Sequence, residues 1–229
     1  MNLHELKIQS IRDALGISAE QFPRILTFID FANVDHWFDY DQYDLDGKAL
    51  LSDQRIALDL QKLKEFLGCF SVDVRFYYGH NPSNSGSMAF NRVAKYIFGK
   101  HRVFTKRIQQ VRHDLTPADS VSNTRLIHSD NQGNFVLIPK CNFDVEISVD
   151  ALRLDNMYDT ICLLSSDADF AALIRYLKKQ KKKIILIKGG RIDGSLGKLL
   201  DLKIDASQIK SYVVQIKQKP GIKPGSADS

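Results

Sequence analysis

Asp30, Asp144, Asp167 and Asp169 are the residues of this sequence best suited to chemistry. Asp30 closes the apolar run Ile25–Ile29. Asp144 opens an amphipathic stretch, and Asp167 and Asp169 follow the apolar run Ile161–Leu164. In an open α/β sheet the carboxyl ends of parallel strands line one crevice, and ligands bind there. Carboxylates from three parts of the chain then meet at one edge. Like charges held that close call for a cation, and magnesium-type ions take carboxylate oxygens and water. The chemistry indicated is metal-dependent phosphodiester cleavage. Asn33 sits one turn beyond Asp30, where its amide can orient water, phosphate or Asp30 itself.

Each acid also has a plainer reading, since Asp at a strand–helix junction makes a good helix N-cap. A helix needs one cap, so capping accounts for Asp167 or Asp169 but not both. Asp150 lies six residues after Asp144, roughly 120° round a helix from it. It is expected to support packing or to hydrogen-bond the site from behind.

The elements that must position these acids alternate between strand and helix. Helical periodicity covers 3–21, with Gly16 a stop and Ser18 a second start. Strands are expected at 24–30, 72–78, 102–111, 160–164, 183–188 and 212–216. Helices are expected at 52–67, 88–98, 144–154, 170–179 and 195–202. A β-hairpin signature lies within 124–139, turning at Ser129–Asn134. The segment 35–52 reads as a loop over the site mouth. Its Trp37, Phe38, Tyr40 and Tyr43 could stack bases, but a packed lid is the preferred reading. This order predicts an α/β, Rossmann-like fold: a mainly parallel central sheet flanked by helices, with the hairpin inserted. The domain is expected over 23–216, after a helical extension at 1–22 and before a disordered tail at 217–229.

Composition narrows the class. With 229 residues, 44% hydrophobic and 26% charged, the chain suits one α/β domain with extensions. Apolar runs are strand-sized, so no membrane role is expected. The N-terminus lacks a secretory pattern. Cys69, Cys141 and Cys162 are widely spaced and read as reduced thiols of a cytoplasmic protein. The six histidines show no metal-ligand spacing, which argues against zinc. No G-x-G-x-x-G or P-loop follows the first strand, and Asp30-Phe31-Ala32 departs from the D-x-D of aspartyl phosphatases.

Net charge is +5, and cationic residues cluster at 95–112 and 178–191. A basic rim round an acidic floor suits a nucleic-acid hydrolase. Lys140, Lys178, Lys182, Lys188 and Arg191 are the candidate RNA contacts. For the run 178–183 a solvated helix C-terminus is an equal reading.

The ordered pieces Ile29-Asp30-x-x-Asn33, Lys140…Asp144-x-x-x-x-x-Asp150-Ala151-Leu152 and Ser165-x-Asp167-x-Asp169-Phe170 resemble the NYN domain. That domain is a branch of the PIN-like nuclease superfamily, and the likeness is to its bacterial group named after LabA. It covers about residues 24–205. Phe31 stands where that family usually has Gly, and Ser166 and Ala168 replace two further glycines. The resemblance implies that Asp30, Asp144, Asp167 and Asp169 bind Mg2+ or Mn2+, with Asn33 steadying the first acid or the phosphate. It implies that Ser165 or Ser166 caps the following helix, and that RNA is the partner and substrate. A homodimer is left open. The rival reading is a catalytically weak NYN domain that binds RNA as a regulatory module.

Overall fold

The computed structural model describes residues 2–116, 125–190 and 194–219. Asn2 caps α1 (Leu3–Leu15), and Glu5 closes a capping box with it. Gly16 ends the helix at φ 70°, a left-handed conformation that costs glycine little. β1 (Ile25–Asp30) is buried along its whole length and runs directly into the single turn of α2 (Phe31–Val34). β2 (Gln54–Leu58) precedes α3 (Leu60–Gly68), which Asp59 caps by accepting from the Gln61 and Lys62 amides. β3 (Ser71–His80) leads to α4 (Ser85–Phe98), capped by Asn84, and then to β4 (Val103–Arg107).

β5 (Gln109–Asp114), β6 (His128–Asp130) and β7 (Gly133–Lys140) form a separate antiparallel sheet in the order β5-β7-β6. The chain returns through α5 (Asp144–Arg153), β8 (Thr160–Leu164), α6 (Ala171–Lys179) and β9 (Lys183–Lys188). It ends in α7 (Gly194–Gly197), β10 (Leu202–Asp205), α8 (Ala206–Val213) and β11 (Val214–Gln218).

The central sheet has six strands in the order β10-β9-β8-β1-β3-β4, and every neighbouring pair is parallel. Because side chains alternate faces, each central strand feeds two cores. Ile25, Ile29, Cys162, Leu164, Ile185 and Ile187 pack toward α1, α3, α4 and α8. Leu26, Phe28, Ile161, Leu163, Ile184 and Leu186 pack toward α5 and α6. Burying each such side chain contributes about 1.5–3 kcal/mol before entropy is charged against it. β1 lies between β3 and β8, the point where successive connections leave in opposite directions. That is where an open α/β sheet forms its ligand crevice.

The α/β architecture and the parallel sheet agree with the sequence reading, and the β6–β7 hairpin falls where the insertion was expected. Three local expectations fail. The segment 52–67 is not one helix, because Gln54–Leu58 pairs antiparallel with Val214–Gln218. The strand expected at 102–111 breaks at Ile108, whose amide bonds the His80 carbonyl at 2.9 Å, and the second half joins the hairpin. The helix expected at 195–202 is only the single turn Gly194–Gly197, and β10 and α8 follow it, largely where no element was expected. β11 also runs to Gln218, into the expected tail, while residues 220–229 lie outside those described.

Candidate metal-binding site

Asp30 ends β1 at the centre of the sheet and is 5% exposed. Its Oδ2 accepts from Asn33 Nδ2 at 2.6 Å and from Ser165 Oγ at 3.2 Å. Burial pushes the Asp30 carboxyl above the usual range. The two hydrogen bonds oppose that shift, while nearby Asp144 and Asp167 add to it.

β8 brings the second piece beside the first, pairing Ile29 with Leu164. Ser165 Oγ accepts the Asp167 amide at 3.1 Å, and Asp167 Oδ1 accepts the Asp169 amide at 2.9 Å. Asp167 therefore caps the 3-10 turn Ala168–Phe170, and Asp169 serves no cap. Ser166 Oγ donates to the Gly189 carbonyl at 2.9 Å, tying this loop to the end of β9. A Cβ on Gly189 would lie 2.6 Å from Trp37 Cδ1, so only glycine lets the indole sit that close.

Asp144, the first residue of α5, closes the group. It exchanges bonds with Asn142, whose Nδ2 donates to Asp144 Oδ2 at 2.7 Å and whose Oδ1 accepts the Asp144 amide at 2.8 Å. Burial raises its pKa, and the Asp167, Asp169 and Glu146 carboxylates add to the shift against the Asn142 bond. Asp144, Asp167 and Asp169 each place one carboxylate oxygen within 4.8 Å of the others.

None of the four acids is ion-paired among the described residues. Three hard oxygen donors from separate elements, with no protein cation between them, fit a divalent ion of the magnesium type. Zinc prefers nitrogen and sulfur, which this group does not offer.

The family model of the NYN domain matches residues 24–195. The chain belongs to the NYN domain family. NYN domains form part of a nuclease superfamily. It is 31% identical over 87 residues to the low amplitude and bright protein LabA of Synechococcus elongatus. That match covers 38% of this chain and 46% of LabA, so it spans less than half of that relative. A crystal structure of a protein of unknown function from Vibrio parahaemolyticus shares the fold, with a TM-score of 0.52 at 16% identity. It covers 82% of this chain and 96% of that one.

Other sequence candidates lie away from the acids of this NYN domain. Asp150 is 7% exposed and accepts from Tyr77 Oη and Arg153 Nη2, both at 2.6 Å, within the α5 packing face. Lys178 is bound to both Asp201 oxygens at 2.8 Å. Lys182 donates to the Asp155 and Tyr158 carbonyls at 2.7 Å and lies over the Tyr158 ring. Both lysines sit where α6 ends and β9 begins, the edge of the sheet opposite the acids, so they form no rim to this site. Lys188 is on the correct edge but is buried and pairs with Asp205 at 3.5 Å. Lys140 is exposed at the end of β7, and Arg191 lies outside the described residues.

Two residues near the acids were not singled out from the sequence. Asn142 could have been noticed, because Asn two positions before Asp commonly bonds the backbone. Lys106 was read only as one cation of the cluster at 95–112, and its place beside Asn142 follows from β4. It donates to the Asn142 carbonyl at 3.1 Å, pairs with Glu146 and lies 5.2 Å from the Phe143 ring centre.

Proposed function

We propose that this NYN domain is a metal-dependent ribonuclease whose site is the acidic cluster at the strand ends. The observation that carries the reading is the unpaired trio Asp144, Asp167 and Asp169 beside buried Asp30. Asp144, Asp167 and Asp169 would hold Mg2+ or Mn2+, with Asp30 facing the same ion. A divalent cation bound there supplies charge that draws a phosphodiester to an acidic floor and makes water a stronger nucleophile.

The chain's own residues supply position. Asn33 and Ser165 fix the Asp30 carboxylate, Asn142 fixes Asp144, and the cap at Asp167 holds the Asp167–Asp169 turn. Such outer bonds hold ligands in one orientation. Lys106, which donates to the carbonyl of the Asn142 that fixes Asp144, would meet a phosphate approaching that acid. The three cysteines are free, which suits a reducing cytoplasm, and no helix among the described residues is long and apolar enough to cross a membrane.

Purified protein incubated with labelled single-stranded and hairpin RNAs in Mg2+, Mn2+ or EDTA tests this directly. Cleavage that needs metal and is lost in Asp167→Asn is expected. The second reading is an RNA-binding regulatory module with weak turnover. It draws on Tyr40 and Tyr43, which are 95% and 57% exposed and could stack bases. RNA binding that survives EDTA, with no cleavage in any metal, selects it.

A further inference from the structure

The geometry points to a nucleotide-binding subsite beside the acidic cluster, in the cleft between α2, the β2–β11 ribbon and the start of α4. This inference rests on the ribonuclease reading and names how its substrate is held. The cleft encloses about 420 Å³ and is lined by Phe31, the residue that directly follows Asp30.

One wall is aromatic. Half-buried Tyr78 and Phe90 form it with buried Phe31 packed behind them, ring centres 4.6 to 5.9 Å apart. A flat base has a matching π-face, and stacking tolerates any base.

The other groups are donors that no protein acceptor meets among the described residues, Arg55 Nε the buried one. Asn81 Oδ1 accepts the Ser83 amide at 3.0 Å and Asn84 Oδ1 accepts the Ser87 amide at 2.9 Å. Each carboxamide is thereby oriented, and both amino groups are left without a partner among the described residues. Arg55 Nε is buried and has no hydrogen-bond partner. A buried donor without an acceptor carries a desolvation penalty that a ligand oxygen would relieve. Lys217 lies directly across the antiparallel pair from Arg55, and its ammonium has no ion pair among the described residues. Like charges facing each other across two strands are unfavourable. Asp39, at 3.7 Å from Arg55 Nη1, and Asp35, a carboxylate that lines the same cleft and attracts both cations, offset part of that.

A ligand with a π-face, several acceptor oxygens and an anionic group meets all of these features. A nucleotide of an RNA strand has that chemistry. Its base would lie on the Tyr78–Phe90 wall, with acceptor atoms toward Asn81 and Asn84. Its phosphate would meet Arg55 and Lys217. An apolar ligand would leave the donors unpaired, and a free phosphate would leave the aromatic wall unused.

The test measures binding and cleavage separately on the full chain, with Asn81→Ala/Asn84→Ala and Lys217→Ala. Affinity for a short single-stranded RNA, and for an abasic strand of equal length, is read by fluorescence anisotropy in EDTA. The parent is expected to bind the RNA about tenfold or more tighter than the abasic strand. The double Asn variant is expected to lose most of that difference, and Lys217→Ala to weaken both strands and lower the salt slope by about one. Equal preference in parent and double variant, with thermal melts showing both folded, overturns the subsite. The nuclease reading then stands if cleavage is unchanged. Base-dependent binding that the variants remove, without cleavage by the parent in any metal, keeps the subsite and rejects the nuclease. Failure of the parent to prefer RNA over the abasic strand rejects the subsite outright.

Discussion

Ser165 hydrogen-bonds Asp30 across the seam between β8 and β1, with 3.2 Å from Oγ to Oδ2. The same hydroxyl accepts the Asp167 amide, so one buried side chain couples the acid that ends β1 to the turn that carries two more. Ser165→Ala should therefore loosen both at once. Metal affinity, read by calorimetric titration with Mn2+, is expected to fall about 10- to 100-fold, the usual cost of losing a partner behind a ligand. Unchanged affinity would mean that Asp30 and Asp167 are held without it.

Removing a ligand should cost more than removing its support. Asp167→Asn deletes a charge but keeps the shape and the cap acceptor, so the turn should persist. RNA cleavage is expected to drop by more than about a hundredfold with the circular dichroism spectrum unchanged. Residual cleavage close to that of the parent would place the chemistry elsewhere.

The raised carboxyl of Asp144 makes metal-free stability depend on pH. A folded-state pKa above the unfolded value gives stability that is full at acid pH and is lost as pH rises through the raised pKa. Asp144→Asn avoids that loss. Without metal its Tm is expected to exceed the parent's by about 1–3 °C at pH 7, an amount kept small by solvent screening. The gap should close as pH falls below the ordinary aspartate value of about 4. Adding Mg2+ should raise the parent more than the variant, because only a formed site gains from mass action. A gap independent of pH would remove carboxylate repulsion as its cause.

The sequence showed the acids more clearly than the cations. Asp30, Asp167 and Asp169 stand at the ends of apolar runs that strand periodicity alone locates, and the structure brings them beside Asp144. The lysines at 178 and 182 looked like a rim because they cluster in sequence, but the end of α6 points away from the strand ends. Lys182→Met should accordingly act on stability. It leaves the Asp155 and Tyr158 carbonyls unpaired, which costs about 1–3 kcal/mol in urea melts, with RNA affinity unchanged.

Tyr77 and Asp150 form a second relationship of this kind. The tyrosine donates to a carboxylate on the buried face of α5, and burial with that bond holds its own hydroxyl protonated far above the ordinary value. Tyr77→Phe leaves Asp150 to Arg153 alone. Tm is expected to fall by about 3–10 °C while cleavage at low temperature stays at the parent's level. A matching loss of cleavage in the folded variant would bring Asp150 into the site.

By itself the sequence determined the alternation of strands and helices, and with it a parallel sheet whose carboxyl ends carry acids. Periodicity and caps are local properties, so they can be read from a few neighbouring residues. Tertiary structure decided the rest. Gln54–Leu58 becomes a strand only because Val214–Gln218 returns to pair with it. Lys106 reaches Asn142 only because β4 and α5 are brought together in the fold. The donors of Arg55, Asn81 and Asn84 face one cleft only because three distant segments meet there. Side chains that far apart in the chain become neighbours through strand order and packing, which no local pattern encodes.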